Sequence, residues 1–224
     1  MTRDASSTRP RLVVFDLDGT LIDSIGDIAS SANQSLVEAY GESVWLSNDV
    51  VRGFVGHGAR LLVERCVGAA GRPAADVGRV FERFLAIYGS RLTETTRLYP
   101  GMSDALDRIA SSSRLAVLTN KPGAMSRTIV RDLGLASRFI AVIGGDDLST
   151  KKPDPEGLLK IAAQAGVAPG ETALVGDSAV DVRTARNAGA IAVGVLWGYD
   201  REGVIREKPD LLLAAPRDLM SLVG

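Results

Sequence analysis

The sequence predicts an α/β fold, in which a parallel β-sheet core carries helices on both faces and an all-helical segment is inserted after the first strand. Three observations predict this class. From residue 114 onward, short apolar runs alternate with helical stretches, as in strands joined by crossover helices. An isolated apolar run lies near the start, at 12–15. Between these regions, residues 25–92 show helical patterns and no convincing strand, and a run of roughly 70 residues is too long for a simple connection.

The strands of the sheet are predicted from short apolar runs that end in glycine or polar residues. These runs lie at 12–15, 115–118, 139–143, 172–175, 191–195 and 211–213. Helices are predicted between them at 124–133, 155–165 and 179–188, with a short one at 217–222. Asp154 is the expected cap of the helix at 155–165, and Pro155 lies in its first turn. Gly134 and Gly189 are expected to end the helices at 124–133 and 179–188.

The inserted segment is predicted to contain about four helices. Two apolar stripes, spaced by three and four residues, mark two of them. The stripes are Ile28, Ala32, Leu36 and Tyr40, and Val77, Val80, Phe81, Phe84, Leu85 and Tyr88. We therefore expect a core domain of residues 1–23 and 96–224 and a helical cap domain of residues 24–95, with hinges near Ser24 and Thr95.

Composition excludes several classes of function. The 224 residues carry 26 Lys and Arg against 27 Asp and Glu, so no basic field attracts nucleic acid or an anionic membrane. No apolar run approaches the ~20 residues that span a bilayer, and the polar start lacks the apolar core of a secretory signal. The single Cys66 suits a reducing compartment. We expect a cytoplasmic protein, monomer or homodimer, without nucleic-acid or membrane partners.

Polar residues follow four of the predicted strands or the loops after them. In an open parallel sheet, ligands bind beyond the carboxyl ends of the strands, so these residues are expected to face one another. In chain order they are Asp16 and Asp18, Thr119 and Asn120, Lys152 in its loop, and Asp177 with Asp181.

This set of side chains favours phosphoryl transfer assisted by a divalent ion. Carboxylates are hard oxygen ligands of the kind that Mg²⁺ accepts together with water and substrate oxygens. A lysine, a threonine hydroxyl and the backbone N–H groups of a strand–helix turn suit a phosphate. A carboxylate can attack phosphorus to give an aspartyl-phosphate, and a neighbouring acid can protonate the leaving oxygen and later deprotonate water.

One family has these motifs in this order. The chain resembles the haloacid-dehalogenase superfamily of phosphatases, from about residue 11 to residue 213, through Asp16-x-Asp18-Gly-Thr, Thr119-Asn120, Lys152-Pro-Asp-Pro and Gly-Asp177-Ser-x-x-x-Asp181. The inserted helices resemble the first-type cap of that family. The resemblance implies a Rossmann-like core, Mg²⁺ as cofactor and a small-molecule phosphate ester as substrate.

The resemblance assigns chemistry to the first motif by position. Asp16 corresponds to the nucleophile and to a metal ligand. Asp18 corresponds to the general acid/base, and it also binds the metal through its backbone carbonyl. Family members that cleave carbon–halogen or carbon–phosphorus bonds lack this second acid, so its presence favours phosphate esters.

The later motifs receive supporting roles by the same resemblance. Thr119 and the backbone of Asn120 correspond to the phosphate-holding motif. Lys152 corresponds to the catalytic cation that steadies the nucleophile and binds the phosphoryl group. Asp177 corresponds to a direct Mg²⁺ ligand. Asp181 corresponds to an acid outside the direct ligands, which orients metal-bound water or pairs with Lys152.

A glycine-rich turn in the inserted segment is the predicted substrate-sensing loop. Gly56, His57 and Gly58 resemble a Gly-x-Gly turn that faces the active site in phosphoglycolate phosphatases, although a lone histidine is more often a surface or packing residue. Arg60 is a candidate for gripping a substrate carboxylate. The stretch Gly-Gly-Asp-Asp at 144–147 also looks like that subfamily.

The favoured function is therefore a Mg²⁺-dependent phosphatase for a small organic phosphate, with 2-phosphoglycolate as the first choice of substrate. Three alternatives stay open. These are a phosphatase for another metabolite such as a sugar phosphate, a phosphosugar mutase, and a binding or regulatory module on the same fold.

A few further residues are interpreted as structural. Asp23 and Ser24 are expected to cap the first inserted helix. Cys66 and Trp45 are expected to pack inside the inserted segment. The stretch Trp-Gly-Tyr at 197–199 follows a strand end and is expected to support the cleft.

Overall fold

The computed structural model describes residues 9–41 and 44–223. Its strands are β1 (Leu12–Phe15), β2 (Ile22–Asp23), β3 (Arg97–Leu98), β4 (Arg114–Leu118), β5 (Val142–Ile143), β6 (Thr172–Gly176), β7 (Ile191–Val195) and β8 (Leu211–Leu213). Its α-helices are α1 (Ile25–Tyr40), α2 (Asn48–Arg52), α3 (Ala59–Ala69), α4 (Val77–Gly89), α5 (Met102–Ala110), α6 (Gly123–Asp132), α7 (Glu156–Ala165), α8 (Ala179–Ala188) and α9 (Arg201–Glu207). None of the helices in these ranges has the length and apolarity needed to span a bilayer.

The six predicted sheet strands form one parallel sheet in the order β5-β4-β1-β6-β7-β8. In its centre, Phe15 of β1 pairs with Val117 of β4 on one side and with Val175 of β6 on the other. Strand order reverses around β1, because the chain builds β4 and β5 outward on one side before it returns to β6. Such a reversal places a crevice at the carboxyl ends of the central strands.

Helices cover both faces of the sheet, as predicted. Alternate residues of a strand point to opposite faces, so Val13 and Phe15 join one apolar cluster with buried residues of α5 and α6. Leu12 and Val14 join a second cluster with buried residues of α7 and α8. The central strands are buried on both sides, which explains their uninterrupted apolar sequences. The predicted α/β class with a Rossmann-like core is confirmed.

The structure differs from the predicted elements in a few places. Strand β5 is shorter than 139–143, because the chain bends at Ile140 on the sheet edge. Helix α7 begins at Glu156, and the Asp154 carboxylate accepts the N–H of Glu156 at 2.9 Å. The final helix is a 3₁₀ helix at Pro216–Leu222. Helices α5 and α9 had no predicted counterpart.

Four helices, α1 to α4, form the segment between β2 and β3, which we call the helical insertion. The two short strands pair antiparallel, with Ile22 opposite Leu98, so the chain enters and leaves the insertion through one ribbon. Asp27 of α1 ties the returning chain to the outgoing chain. Its carboxylate accepts the N–H and hydroxyl groups of Thr95 and Thr96 at 2.6–3.1 Å.

Cys66 is buried in the insertion, as expected, whereas the expectation for Trp45 is wrong. The Trp45 side chain is 68% exposed. Residues 44–47 belong to neither a helix nor a strand. Val44 and Leu46, on either side of Trp45, are the residues that are buried, and Trp45 faces outward between them. Leu46 is fixed in this position by paired hydrogen bonds of its backbone with the Asn33 side chain.

Candidate active site

The predicted strand-end motifs meet at one edge of the sheet. Asp16 and Asp18 follow β1, Thr119 and Asn120 follow β4, and Asp177 follows the last residue of β6. These three strands are neighbours in the sheet. All seven residues singled out in the core motifs are buried, namely Asp16, Asp18, Thr119, Asn120, Lys152, Asp177 and Asp181.

Lys152 joins two of the acids. Its Nζ lies 2.7 Å from Oδ1 of Asp16 and 2.6 Å from Oδ1 of Asp181. Burial by itself would lower the pKa of Lys152, but the two carboxylates raise it above its ordinary value. Burial raises the pKa of Asp16 to about 6, although the charge of Lys152 opposes this rise. A permanently charged ammonium therefore lies against the nucleophile candidate.

The position of Asp181 follows from the local sequence. Ser178 is the N-cap of α8, and its backbone N–H donates to Oδ2 of Asp181 at 3.1 Å. The N–H of Asp181 in turn donates to the Ser178 hydroxyl oxygen at 3.4 Å. This reciprocal capping box fixes one carboxylate oxygen, so that the other accepts from Lys152.

Asp177 is held against the turn that follows β1. Its Oδ1 accepts the Thr20 hydroxyl at 3.1 Å, and its Oδ2 accepts the backbone N–H of Tyr199 at 2.6 Å. Gly19 has a φ of +84°, and a Cβ on it would lie 2.3 Å from Oδ2 of Asp177, so this approach needs glycine. Burial and the neighbouring negative charges raise the pKa of Asp177 well above its ordinary value.

Three of the acids are close enough to share one cation. Carboxylate oxygens of Asp16, Asp177 and Asp181 lie within 4.8 Å of one another, and all three residues are buried. Burial is the main cause of the raised pKa of Asp16 and of Asp177, and the neighbouring carboxylates add to it. A small divalent cation with a preference for oxygen offsets the negative charge of these carboxylates, so the donor set fits Mg²⁺.

Asp18 is bound by two groups on its own side of the site. Its Oδ1 accepts the Ser24 hydroxyl at 2.6 Å, and the Lys121 ammonium lies 2.9 Å from Oδ1 and 3.1 Å from Oδ2. The expectation that the Ser24 side chain caps α1 is therefore wrong, since its hydroxyl is used by Asp18 and makes no capping bond. The N–H of Ile25 is instead 3.2 Å from Oδ1 of Asp23.

Thr119 and Asn120 lie on the turn between β4 and α6. The Asn120 amide nitrogen donates to the backbone oxygens of Gly56 and Lys152, at 3.0 Å each, which joins the sheet edge to the helical insertion. The Thr119 hydroxyl oxygen accepts the N–H of Lys121 at 3.3 Å. A hydroxyl and backbone N–H groups at a strand–helix turn are suited to phosphate oxygens.

A cavity that opens to solvent lies between the sheet edge and the helical insertion, with an empty volume of about 470 Å³ that includes part of this solvent. Asp16, Asp18, Thr119, Asn120 and Lys121 line it on the sheet side. The insertion contributes apolar side chains, among them Ile28, Leu62 and Phe84, together with Tyr88. A small phosphate ester in this cavity is within reach of the Asp16 carboxylate.

The predicted substrate-sensing loop reaches the cavity only in part. Gly56 and Gly58 line it. His57 is largely exposed and lines an adjacent opening that also reaches Asp18. Its partial burial, together with the charge of Arg65, lowers its pKa. Arg60 is exposed and lines neither opening, and its guanidinium lies 5.6 Å from the centre of the Phe81 ring. The structure therefore leaves Arg60 outside the site.

Two aromatic residues support the turn after β1. The indole Nε1 of Trp197 donates to the backbone oxygen of Thr20 at 3.0 Å. The Tyr199 hydroxyl donates to Oδ1 of Asp23 at 2.9 Å and accepts the N–H of Ser24 at 2.8 Å. Tyr199 also lines the opening beside His57, so it both supports the cleft and faces it.

Sequence reasoning missed Lys121 and Tyr88. Lys121 is 6% exposed, pairs with Asp18 and hydrogen-bonds the Tyr88 hydroxyl. Lys121 directly follows the Thr119-Asn120 motif at a strand end, and this position in the sequence indicates a site residue. In the sequence, Tyr88 belongs to an apolar helical stripe, and its contact with Lys121 depends on how the insertion packs on the sheet.

Comparison with known proteins supplies a family. The model of a family described as "Haloacid dehalogenase-like hydrolase" matches residues 13–195. The phosphoglycolate phosphatase of Pseudomonas putida is 39% identical over 219 residues, which cover 95% of this chain and 79% of that protein. The phosphoglycolate phosphatase of Salmonella paratyphi A is 33% identical over 238 residues, which cover 96% and 92%.

Solved structures agree with these relatives. The crystal structure of a "predicted phosphoglycolate phosphatase" from Haemophilus somnus 129pt has a TM-score of 0.90 to this chain at 31% sequence identity. The alignment covers 97% of this chain and 99% of that chain.

Proposed function

The chain belongs to the haloacid dehalogenase-like hydrolase family and is a phosphatase, and we propose that its substrate is 2-phosphoglycolate. Relatives that carry the name phosphoglycolate phosphatase align with most of the chain. The single observation that carries the proposal is the convergence of Asp16, Lys152 and Asp177, all buried, at the sheet edge where the cavity opens beside Asp16.

Asp16 is the proposed nucleophile. Its carboxylate forms a bond to phosphorus while the bond from phosphorus to the leaving oxygen breaks, which yields an aspartyl-phosphate. Lys152, 2.7 Å from the Asp16 carboxylate, provides a fixed positive charge for the phosphoryl oxygens that pass beside it. The Thr119 hydroxyl and the backbone N–H of Asn120 hold the same phosphoryl group.

Asp18 is the proposed general acid and base. In the first step it protonates the oxygen of the leaving glycolate, and in the second it takes a proton from the water that attacks phosphorus. Hydrolysis then releases inorganic phosphate and restores Asp16. Ser24, 2.6 Å from Oδ1 of Asp18, holds this carboxylate in orientation between the two steps.

Asp16, Asp177 and the backbone carbonyl of Asp18 are the proposed ligands of Mg²⁺. When bound, the ion neutralises the negative charge of the phosphate ester, which otherwise repels the attacking carboxylate. Although Asp181 lies close enough to share the cation, we propose that it stays outside the direct ligands and pairs with Lys152, whose Nζ lies 2.6 Å from its Oδ1. It positions Lys152 for the reaction.

The helical insertion is proposed to act as a mobile cap. The division into a core of residues 1–23 and 96–224 and a cap of residues 24–95 places hinges near Ser24 and Thr95. Closure excludes water from the transfer and strengthens its electrostatics. We further propose that the protein is cytoplasmic, consistent with its one buried, unpaired Cys66, and that it acts as a monomer or a homodimer.

The test is a panel of phosphate esters ranked by kcat/KM, with Mg²⁺ and after chelation. We expect 2-phosphoglycolate to lead the ranking, and chelation to abolish turnover. Asp16→Asn is expected to abolish turnover while the circular dichroism spectrum stays that of the wild type. Lys160→Met, on the exposed surface of α7, is the matched control and keeps full activity.

The same panel separates the alternatives. Preference for a sugar phosphate identifies another metabolite phosphatase. Conversion of a sugar phosphate to its isomer, without release of phosphate, identifies a mutase. Failure to hydrolyse any ester in the presence of Mg²⁺ identifies a binding module, and substantial turnover by Asp16→Asn refutes the proposed nucleophile.

A further inference from the structure

Lys121 is a buried cation whose charge the proposed phosphoryl transfer does not use. Its side chain is 4% exposed and pairs with the Asp18 carboxylate, which is itself 9% exposed. It lines the cavity, and among the described lining residues it is the one cation. Asp18 and Tyr88 stabilise this buried ammonium, and because Lys121 also lines the cavity, its charge is available to an anionic group that enters there.

A substrate such as 2-phosphoglycolate brings a second anionic group into this space. Its carboxylate is joined to the leaving oxygen through one carbon atom. Much of the cavity wall is apolar, formed by residues such as Ile28, Leu62 and Phe84. Burying a carboxylate against such a wall is unfavourable unless a cation or several donors meet it.

Lys121 lies on the side of the cavity where the carboxylate of the leaving group is expected. Its Nζ lies 2.9 Å from Oδ1 of Asp18, the acid proposed to serve the leaving oxygen. A group one carbon beyond that oxygen is therefore next to Lys121. Lys152, in contrast, is engaged by Asp16 and Asp181 on the phosphoryl side, and Arg60 lies outside the cavity.

Tyr88 adds a second donor from the helical insertion. Its hydroxyl is hydrogen-bonded to Lys121 Nζ, and because an ammonium group only donates, the tyrosine oxygen is the acceptor in this contact. The O–H proton of Tyr88 is therefore directed elsewhere, and no acceptor for it is found in the described ranges. Lys121 meets a substrate carboxylate with its charge and with an N–H that it now directs at Asp18, and Tyr88 adds an O–H donor for the second oxygen.

We infer that Lys121, together with Tyr88, is the recognition site for the carboxylate on the leaving group of the substrate. The inference rests on the proposed function and deepens it, because it explains why a small anionic ester is selected. Lys121 comes from the sheet edge and Tyr88 from α4, so the recognition site is complete only when the helical insertion lies against the sheet. Binding of the substrate carboxylate therefore stabilises the insertion against the sheet, and this position of the insertion in turn favours binding of the carboxylate.

The test compares two esters of similar size, 2-phosphoglycolate with its anionic leaving group and 2-hydroxyethyl phosphate with a neutral one. The measured quantity is the ratio of their kcat/KM values. Lys121→Met is expected to lower this ratio by about 10- to 100-fold, the cost of one hydrogen bond to a charged group. Tyr88→Phe is expected to lower it by less, about 3- to 10-fold, and Lys160→Met leaves it unchanged.

If Lys121 only holds Asp18 in place, the result is different. The kcat/KM values of both esters then fall by the same factor in Lys121→Met, their ratio stays constant, and the inference is overturned. Binding gives a second readout, since the Kd of 2-phosphoglycolate in the Asp16→Asn background is expected to rise on adding Lys121→Met, while that of 2-hydroxyethyl phosphate moves less. If Lys121→Met fails to fold, Lys121→Gln and Tyr88→Phe serve the same measurements.

The outcomes also separate this inference from the proposed function. If the wild type prefers another anionic ester to 2-phosphoglycolate and Lys121→Met removes that preference, the proposed substrate is wrong and the inference stands. If the wild type prefers 2-phosphoglycolate and Lys121→Met keeps the ratio, the proposed substrate stands and the inference is wrong. A wild type that prefers neutral esters overturns both.

Discussion

Asp27 accepts both the backbone N–H and the hydroxyl of Thr96, at 2.9 and 2.7 Å. Asp27 lies on the first helix of the insertion and Thr96 on the chain that returns from its last helix. Thr95 donates to the same carboxylate in the same way. One buried side chain therefore closes the base of the helical insertion.

Asp27→Ala is expected to destabilise the protein by about 3 kcal/mol, because it leaves several buried N–H and hydroxyl groups of Thr95 and Thr96 without an acceptor. Urea unfolding measures the change. The control is Glu38→Ala on the same helix, which removes a surface ion pair with Arg83 and is expected to cost less than about 1 kcal/mol. Equal losses in the two variants would contradict the prediction.

The contribution of Asp27 is also expected to depend on pH. Burial alone would raise the pKa of Asp27, but the hydrogen bonds from Thr95 and Thr96 lower it below its ordinary value. A lowered pKa stabilises the folded protein above the unfolded value of about 4 and loses that effect as the pH falls through the folded value. The difference in Tm between wild type and Asp27→Asn should therefore be largest at neutral pH and shrink in acid.

In metal-free protein, we expect the contribution of Asp16 to the stability of the folded state to depend on pH in the opposite direction. Its pKa in the folded protein is raised to about 6, so its ionisation disfavours the folded state as the pH rises from about 4 to that value. The Tm of the wild type relative to Asp16→Asn should fall across this range and then level off. Mg²⁺ should raise the Tm of the wild type more than that of the variant. A difference in Tm that is independent of pH would refute this account.

Gly19→Ala is expected to weaken Mg²⁺ binding by more than about 10-fold, because the added Cβ would lie 2.3 Å from Oδ2 of Asp177. Gly166→Ala is the matched control. Gly166 also has a positive φ, +63°, but its added Cβ would meet no atom within 4 Å. Both variants carry backbone strain of about 1 kcal/mol, and only the first should raise the Mg²⁺ concentration needed for half-maximal activity.

Ser24→Ala is expected to lower kcat by about 10-fold with little change in KM, because it removes one hydrogen bond to the Asp18 carboxylate. Ser30→Ala, in the first turns of the helix that Ser24 precedes, is the control, since the Ser30 hydroxyl donates to the backbone oxygen of Asp27. Steady-state kinetics with 2-phosphoglycolate measure both. An unchanged kcat in Ser24→Ala would show that Asp18 is oriented without it.

The sheet could be predicted because each strand is specified by residues that are neighbours in the sequence. Each strand is a short apolar run, and strand ends in a parallel sheet converge whatever the details of packing. The meeting of Asp16 with Lys152 follows from that topology. The capping box that orients Asp181 is likewise encoded within four neighbouring residues, Ser178 to Asp181.

The features that sequence reasoning missed depend on packing between distant segments. Ser24 stands at a helix N-terminus, where its type favours capping, yet the nearby Asp18 carboxylate competes for its hydroxyl. The pairing of Lys121 with Tyr88 joins a strand end to a helix of the insertion, which no local pattern specifies. Residue type favours an interior position for Trp45, whereas its neighbours Val44 and Leu46 are the residues that the insertion buries.

The ribbon of β2 and β3 has a further consequence. Directly paired residues of an antiparallel ribbon lie about 5 Å apart, so the two ends of the helical insertion, near Asp23 and Arg97, are adjacent in space. A segment with adjacent ends can be exchanged for another of different length without changing the structure of the sheet. Chimeras that graft a foreign helical segment onto this ribbon should therefore keep the phosphoryl-transfer groups at the strand ends while acquiring a different choice of ester.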